Sequence, residues 1–140
     1  MPNFKHHFIA GAVVGGGASL AWQCLNIHGE RNPPSFWGII KRVDPIEVAL
    51  CAVGGGLVAS IPDFLEPAST PNHRAFFHSI FFGAFLIAVV LSLASWKLGK
   101  FVTFSICAAV LAYLSHLFLD SQTPRSLPFI GLRFLAKLRW

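Results

Sequence analysis

The sequence has few charged residues. Only 12% of its 140 residues are Asp, Glu, Lys or Arg, whereas 54% are hydrophobic, and the mean hydropathy is +0.62. Soluble domains carry about 25% charged residues, and disordered chains are poor in apolar ones. The composition therefore excludes an ordinary soluble domain and a disordered chain, and it indicates a membrane protein.

Acidic residues and cysteines are also scarce. Six acids stand against eleven basic residues, so the net charge is +5. The basic residues are spread over short polar segments without a basic run, which is typical of charges that flank membrane helices, and we expect no nucleic-acid partner. The three cysteines lie in separate apolar segments without CxxC spacing: Cys24, Cys51 and Cys107. They are typical of small packing residues and do not indicate a zinc knuckle.

Four apolar segments have the composition of membrane helices, which need about 20 apolar residues to cross a bilayer core. They cover about residues 8–27, 46–61, 75–96 and 101–119. The second is the shortest and contains Glu47 and three consecutive glycines. We therefore predict an all-α fold: a single domain over residues 1–140, built as an integral membrane bundle of four transmembrane helices. The segment 121–140 is predicted to rest on the membrane surface and contact lipid headgroups.

The first span has an alternative interpretation. Lys5, the apolar run and the small residues around Ser19-Leu20-Ala21 resemble a cleavable signal peptide. The run is rich in glycine and the cleavage site is poor, which favours a retained membrane helix.

An even number of crossings brings ionisable residues to one side of the membrane. We name the side where the first helix begins face A, and the opposite side face B. Face A receives five of the six histidines and three of the six acids. These residues are His6, His7, Asp63, Glu66, His73, His78, His116 and Asp120. An ionisable group in a membrane helix costs about 2.5–3.5 kcal/mol at the centre, so this grouping predicts a site at face A.

Spacing places these groups toward the bundle interior. His116 and Asp120 are four residues apart, so they share one helical face. That face continues inward through small residues: Ala112, Ala109 and Ser105. The face of His7 likewise continues through Gly11 and Gly15, in GxxxG spacing. Small residues let membrane helices approach closely, and imidazole with carboxylate suits a divalent metal, zinc or manganese.

At these residues the chain resembles the family of LexA-regulated, inner-membrane-bound metal-dependent hydrolases. That family has an early His in the first helix, a Pro-Asp turn, an HRxxTHS segment and a final SHxxxDxxTP segment. Here these correspond to His7, to Pro62-Asp63, to residues 73–79 (HRAFFHS) and to residues 115–124 (SHLFLDSQTP). The motifs occur in the family's order, and the resemblance covers about residues 5–128. The resemblance implies a location in a bacterial inner membrane.

Two positions depart from the family pattern. The acidic turn of the family reads PDxD, whereas the second acid here is Glu66, one residue later and one methylene longer. The Thr of the THS segment is replaced by Phe77, which removes a hydroxyl beside the site. The role of Glu66 as a ligand is therefore not implied by the resemblance.

The residues and the resemblance together predict a metal-dependent hydrolase. The predicted ligands of one or two divalent ions are His7, Asp63, His73, His78, His116 and Asp120. Glu66 is the predicted general base and Arg74 a clamp for an anionic group such as phosphate. A basic protein with a site at the interface favours an amphiphilic or phosphate-bearing substrate. His6 is an alternative to its neighbour His7.

Two other functions remain open at this point. The bundle can bind or transport metal ions or protons without catalysis, since intramembrane His and Asp also serve transport. Transport needs polar groups that continue to face B, and face B holds no comparable grouping of ionisable residues. The third possibility is a regulatory or structural protein whose histidines only connect helices. A small excess of Lys and Arg on face A favours that face as the cytoplasmic one.

Overall fold

The computed structural model describes residues 4–67, 76–93, 96, 98–122 and 127. The structure of these residues is all-helical, without a β-strand among them. The helices are α1 (Phe4–His28), α2 (Phe36–Arg42), α3 (Pro45–Ala59), α4 (Ile61–Leu65), α5 (Ile80–Leu93) and α6 (Lys100–Ser121).

Three units of the described chain are long and apolar enough to cross a membrane: Phe4–His28, Pro45–Leu65 and Lys100–Ser121. They correspond to the first, second and fourth predicted spans. Helix α5 has 14 residues, or about 21 Å, which is shorter than the ~30 Å hydrocarbon core. Residues 75, 94 and 95 of the third predicted span, and nearly all of the tail after residue 122, lie outside the described residues. The crossing by the third predicted span, and with it the total of four crossings, stays a prediction.

The second span is longer than its apolar run. Helix α3 is capped by Asp44, whose Oδ1 accepts a hydrogen bond from the backbone N–H of Ile46 at 2.9 Å, and Pro45 occupies the first helical position. Such a cap satisfies a backbone donor that a helix start leaves free. The helical path continues past Ser60 into α4 and ends at Leu65. The apolar run predicted to end at about residue 61 is thus followed by a short helix, since Pro62 is accommodated in the first turn of α4.

Glycines allow α1 and α3 to touch along their backbones. A Cβ atom on Gly11 would collide with the Cβ of Ala59 and the carbonyl oxygen of Gly55, and one on Gly15 would collide with the carbonyl oxygen of Cys51. This is the close approach that the GxxxG spacing predicts. Helix α6 packs against both α1 and α3, and α5 packs on α6.

The distribution of side chains is that of a membrane bundle. Large apolar side chains point outward, as at Val13, Leu50 and Phe118, which are 69%, 67% and 65% exposed. The buried positions are mainly small or polar. Because lipid solvates apolar side chains, such a surface needs no further apolar cover in a bilayer, and these helices bury their polar groups against one another.

We predict that Gly15→Ala destabilises the fold and that Gly17→Ala does not. The new methyl at position 15 meets the backbone of α3, which cannot rotate away, so we expect a loss of about 2 kcal/mol. A Cβ on Gly17 of the same helix has open space and is expected to add up to about 1 kcal/mol of helix stability. Thermal unfolding of both variants in detergent measures the difference, and equal melting temperatures would contradict this packing.

Candidate metal centre

Three helices and one turn meet at one buried cluster. His7 comes from α1, Asp63 from α4, His78 from the turn before α5, and His116 with Asp120 from α6. The three histidines and Asp120 are at most 1% exposed, whereas the Asp63 side chain is 24% exposed. Five residues that are far apart in the sequence therefore share one site, which we call the His/Asp cluster.

The three imidazoles present their Nε2 atoms to the same two carboxylates. His78 Nε2 lies 3.4 Å from Asp63 Oδ1 and 3.6 Å from Asp120 Oδ2. His116 Nε2 lies 3.8 and 3.5 Å from these two oxygens. His7 Nε2 lies 3.6 Å from Asp120 Oδ1 and 3.9 Å from Asp63 Oδ2. These contacts are longer than a normal N–H···O bond of about 2.9 Å.

The same separations suit a shared cation. Zinc binds nitrogen and oxygen ligands at about 2.0–2.2 Å in a tetrahedron, so two of its ligand atoms lie about 3.4 Å apart. Two overlapping groups have ligand atoms within 4.8 Å of one another: His7, Asp63 and His116, and His78, His116 and Asp120. His116 belongs to both groups. The buried imidazoles and carboxylates could hold a metal ion, and zinc or manganese as its identity stays a prediction.

Buried nitrogen atoms in the cluster need a further partner. Among the described residues, His7 Nδ1 and both ring nitrogens of His116 have no hydrogen-bond partner. The His7 and His116 rings stack with centroids 3.8 Å apart, which disfavours two positive charges there. A buried polar atom without a partner costs about 1–3 kcal/mol. A bound cation coordinated by neutral imidazoles would remove that cost for the coordinating nitrogens.

Glu66 orients His78 from the side opposite the cluster. Its Oε2 lies 2.8 Å from His78 Nδ1, and its Oε1 accepts a hydrogen bond from the backbone N–H of Phe77 at 3.0 Å. A carboxylate on Nδ1 favours the tautomer with hydrogen on that nitrogen, so Nε2 keeps a lone pair for a metal. Glu66 follows Asp63 by three residues and is one methylene longer. Its carboxylate contacts Nδ1 of the His78 ring, whereas the carboxylate of Asp63 lies near Nε2 of the same ring.

Tyr113 is a supporting residue that sequence reasoning missed. Its hydroxyl donates to the backbone carbonyl of Phe77 at 2.7 Å, beside His78. The backbone of Phe77 thus contacts Glu66 and Tyr113, and the Phe77 ring packs against Phe76 and Phe82. A signal was present, because Tyr113 is the only tyrosine in the chain and lies one helical turn before His116.

The structure brings together five of the six predicted ligands. The sixth, His73, and the predicted clamp, Arg74, lie outside the described residues. Of the two neighbouring histidines, His7 is buried in the cluster and His6 is exposed. The metal roles themselves stay predictions, although the geometry places these side chains where the sequence pattern expected them.

Face B has a polar grouping of its own. Gln23 accepts a hydrogen bond from the backbone N–H of Asp44 at 2.7 Å and donates to Ser19 at 3.2 Å, and Ser19 donates to Glu47 at 3.2 Å. Sequence reasoning considered ionisable residues and therefore overlooked the contributions of Ser19 and Gln23. The grouping joins α1 to the start of α3.

The fold and the cluster define an all-helical integral membrane protein with a buried group of imidazoles and carboxylates. A comparison with protein families gives the same class. The model of the family described as YdjM inner membrane protein matches residues 1–135, and the chain belongs to that family. No curated protein and no solved structure matches the chain. The protein is therefore an integral inner membrane protein.

We predict that zinc or manganese raises the melting temperature of the purified protein and that His116→Ala abolishes this effect. A ligand at 100 times its dissociation constant stabilises a fold by about 2.7 kcal/mol. His116 contributes to both potential ligand groups, so its loss affects each of them. The matched control is His28→Ala, because His28 is exposed at the other end of α1.

Elemental analysis of the same samples provides the second measurement. We expect stoichiometric metal in the parent protein and in the His28→Ala variant. Equal metal content in the His116→Ala variant, or no metal in any sample after incubation with both ions, would refute the metal centre.

Proposed function

We propose that this protein is a membrane-bound metal-dependent hydrolase that acts at the membrane interface on a phosphoester or lipid-like substrate. One observation carries the proposal: three Nε2 atoms lie 3.4–3.9 Å from the oxygens of two carboxylates in a buried site. The resemblance of the sequence motifs to metal-dependent hydrolases supports the same chemistry. The LexA regulation that this resemblance implies stays a prediction.

The ligands of one or two divalent ions are the five members of the His/Asp cluster: His7, Asp63, His78, His116 and Asp120. His73 remains a predicted sixth ligand. When bound, a divalent cation lowers the pKa of a coordinated water to about 7 and polarises the scissile bond. Asp63 is the only one of these five side chains that is more than slightly exposed, so we infer that the substrate approaches over Asp63.

The surroundings of Asp63 support an amphiphilic substrate. Its helical neighbours Phe64 and Leu65 are 82% and 47% exposed, and Ile61 is 40% exposed. These apolar side chains lie at the end of a membrane-length helix, where they would contact lipid. A substrate that arrives over Asp63 therefore comes from a lipid-facing surface. Arg74 stays the predicted partner of an anionic group on that substrate.

We propose that Glu66 is a positioning residue. Both of its carboxylate oxygens face the His78 turn, at the backbone N–H of Phe77 and at His78 Nδ1. A general base needs an oxygen directed at the reacting group. The role of Glu66 as general base, expected from the sequence, stays a prediction that the Glu66→Gln variant described below can test.

The transport alternative receives less support from the geometry. Polar groups lie at both ends of the α1–α3 pair, with His7 near face A and Ser19 near face B. Between them, Gly11 and Gly15 contact α3 so closely that an added Cβ would collide with its atoms. This contact leaves no room for a hydrated path between α1 and α3. Metal or proton flux into liposomes that is lost in the His116→Ala variant would favour transport instead.

We predict that Glu66→Gln lowers kcat/KM by about 10–100-fold, which is typical for loss of the group that orients a metal-bound imidazole. The metal affinity is expected to fall with it, because the amide no longer favours one tautomer of His78. The measurements are hydrolysis of bis-p-nitrophenyl phosphate and p-nitrophenyl acyl esters in mixed micelles, and metal affinity by competition with a chelator.

The matched control is Glu30→Gln, because Glu30 is an exposed acid that pairs with Arg42 near face B. We expect it to keep the parent activity and metal affinity. A Glu66→Gln variant with unchanged metal affinity and a lost acidic limb of the pH profile would assign the base role to Glu66. Absence of hydrolysis for every ester by the metal-loaded parent protein would contradict the proposed function.

A further inference from the structure

An apolar groove of about 370 Å³ runs between α3 and α6. On α3 it is lined by Leu50, Gly54 and Val58 among others, and on α6 by residues from Phe101 to Ala109. Leu50 and Phe101 at its edge are 67% and 69% exposed, so the groove faces the surroundings of a membrane-length helix pair.

The groove and the His/Asp cluster lie along the same helices. At about 1.5 Å per residue, the lining residues Val58 and Glu47 lie about 8 and 24 Å before Asp63 along the α3–α4 path. On α6, Ala109 and Phe101 lie about 10 and 22 Å before His116. Both helices run from face B to face A in the predicted topology. The groove therefore extends from below the cluster toward the opposite membrane face.

Two polar side chains of the lining, Ser105 and Glu47, have bonding partners within the protein. Ser105 donates its hydroxyl to the carbonyl of Phe101 at 2.9 Å, and Glu47 accepts a hydrogen bond from Ser19 at 3.2 Å. The groove thus offers mainly hydrocarbon to an occupant. Its volume is about 2.5 times that of the ~150 Å³ cavity known to hold one benzene, whereas a helix is about 10–12 Å wide. The size favours a single extended chain over a helix from a second copy.

Gly54 creates part of this space. A Cβ built on Gly54 has no atom within 4 Å, in contrast to the neighbouring Gly55, whose Cβ would collide with α1. Helix α3 therefore uses Gly55 to pack against α1, whereas helix packing gives no reason for a glycine at position 54. A larger side chain there would extend into the groove without disturbing a helix contact.

We propose that the α3–α6 groove holds the long acyl chain of a phosphate-bearing lipid whose polar head lies at the His/Asp cluster. This inference rests on the proposed function and specifies its substrate class. A chain that begins at the cluster and follows the groove spans up to about 24 Å of a ~30 Å hydrocarbon core, which requires a long chain and excludes a short ester.

The test uses a lysophosphatidic acid with a diazirine near the end of its acyl chain, added to the metal-loaded protein in nanodiscs. Photolabelled positions are mapped by mass spectrometry. We expect labelling of α3 and α6 at the groove that depends on the added metal, and little such labelling by the corresponding monoacylglycerol, which lacks the phosphate. Labelling at the groove that is independent of metal and phosphate would overturn the proposal.

Gly54→Leu is the variant that fills the groove, and Gly17→Leu is its matched control on a glycine with equally open surroundings outside the groove. The leucine displaces about two methylenes of the bound chain, so labelling of the groove is expected to fall about tenfold in Gly54→Leu. We expect it to remain within about twofold in Gly17→Leu, since no chain contact is lost there. Equal labelling of the two variants would overturn the proposal.

Hydrolysis assays on the same samples keep the two proposals separate. Metal-dependent labelling that is lost in the Gly54→Leu variant supports the groove, even where no ester is hydrolysed and the proposed function fails. Hydrolysis of short and long esters at equal rates by Gly54→Leu and the parent protein would preserve the hydrolase and overturn the role of the groove.

Discussion

The burial of ionisable groups inside a membrane bundle is the constraint on which this structure depends. Three imidazoles and the carboxylate of Asp120 are at most 1% exposed, and Asp63 adds a second carboxylate beside them. An uncompensated buried charge costs several kcal/mol, and two adjacent carboxylates repel each other. A cation among the five groups would neutralise that repulsion and would give the coordinating imidazole nitrogens a partner. The chemistry proposed for the site follows from the same requirement that keeps the fold intact.

The rest of the scaffold maintains this arrangement. Gly11 and Gly15 bring α1 against α3, and this contact places His7 beside the end of the α3–α4 path at Asp63. A wider separation of the two helices would move the Nε2 of His7 away from Asp63. On the other side, Glu66 and Tyr113 hold the turn that carries His78 by bonds to its ring and to the adjacent backbone. The position of the cluster thus depends partly on glycines, which lack the Cβ atom that would hold α1 and α3 apart.

Sequence patterns predicted the features of the fold that depend on the length of apolar runs and on helical periodicity. Apolar runs located three membrane-length helices, and the i,i+4 spacing of His116 and Asp120 placed both on one buried face. The contact of Glu66 with His78 Nδ1 could not be predicted, because one extra methylene decides which side of the ring a carboxylate reaches. The bond from Tyr113 to the Phe77 carbonyl joins residues 36 positions apart and leaves no periodic signal. Residues 76–79 form a turn and α5 begins at Ile80, although the apolar run begins at residue 75, so an apolar run indicates composition better than it indicates where a helix starts.

The two polar ends of the bundle differ in a way that bears on function. At face B, hydrogen bonds connect Ser19 with Gln23 and with Glu47, and Gln23 also accepts one from the backbone N–H of Asp44. These polar groups therefore have hydrogen-bond partners within the protein. At face A, ring nitrogens of His7 and His116 have no hydrogen-bond partner among the described residues. Hydrogen bonds within the protein account for the buried polar groups at face B. They do not account for the ring nitrogens without a partner at face A. The glycine contact closes the space between α1 and α3, whereas the α3–α6 groove stays open beside it, and Asp63 is the exposed member of the cluster. A buried site with one open carboxylate beside exposed apolar residues is suited to a molecule that is polar at one end and lipid-soluble at the other.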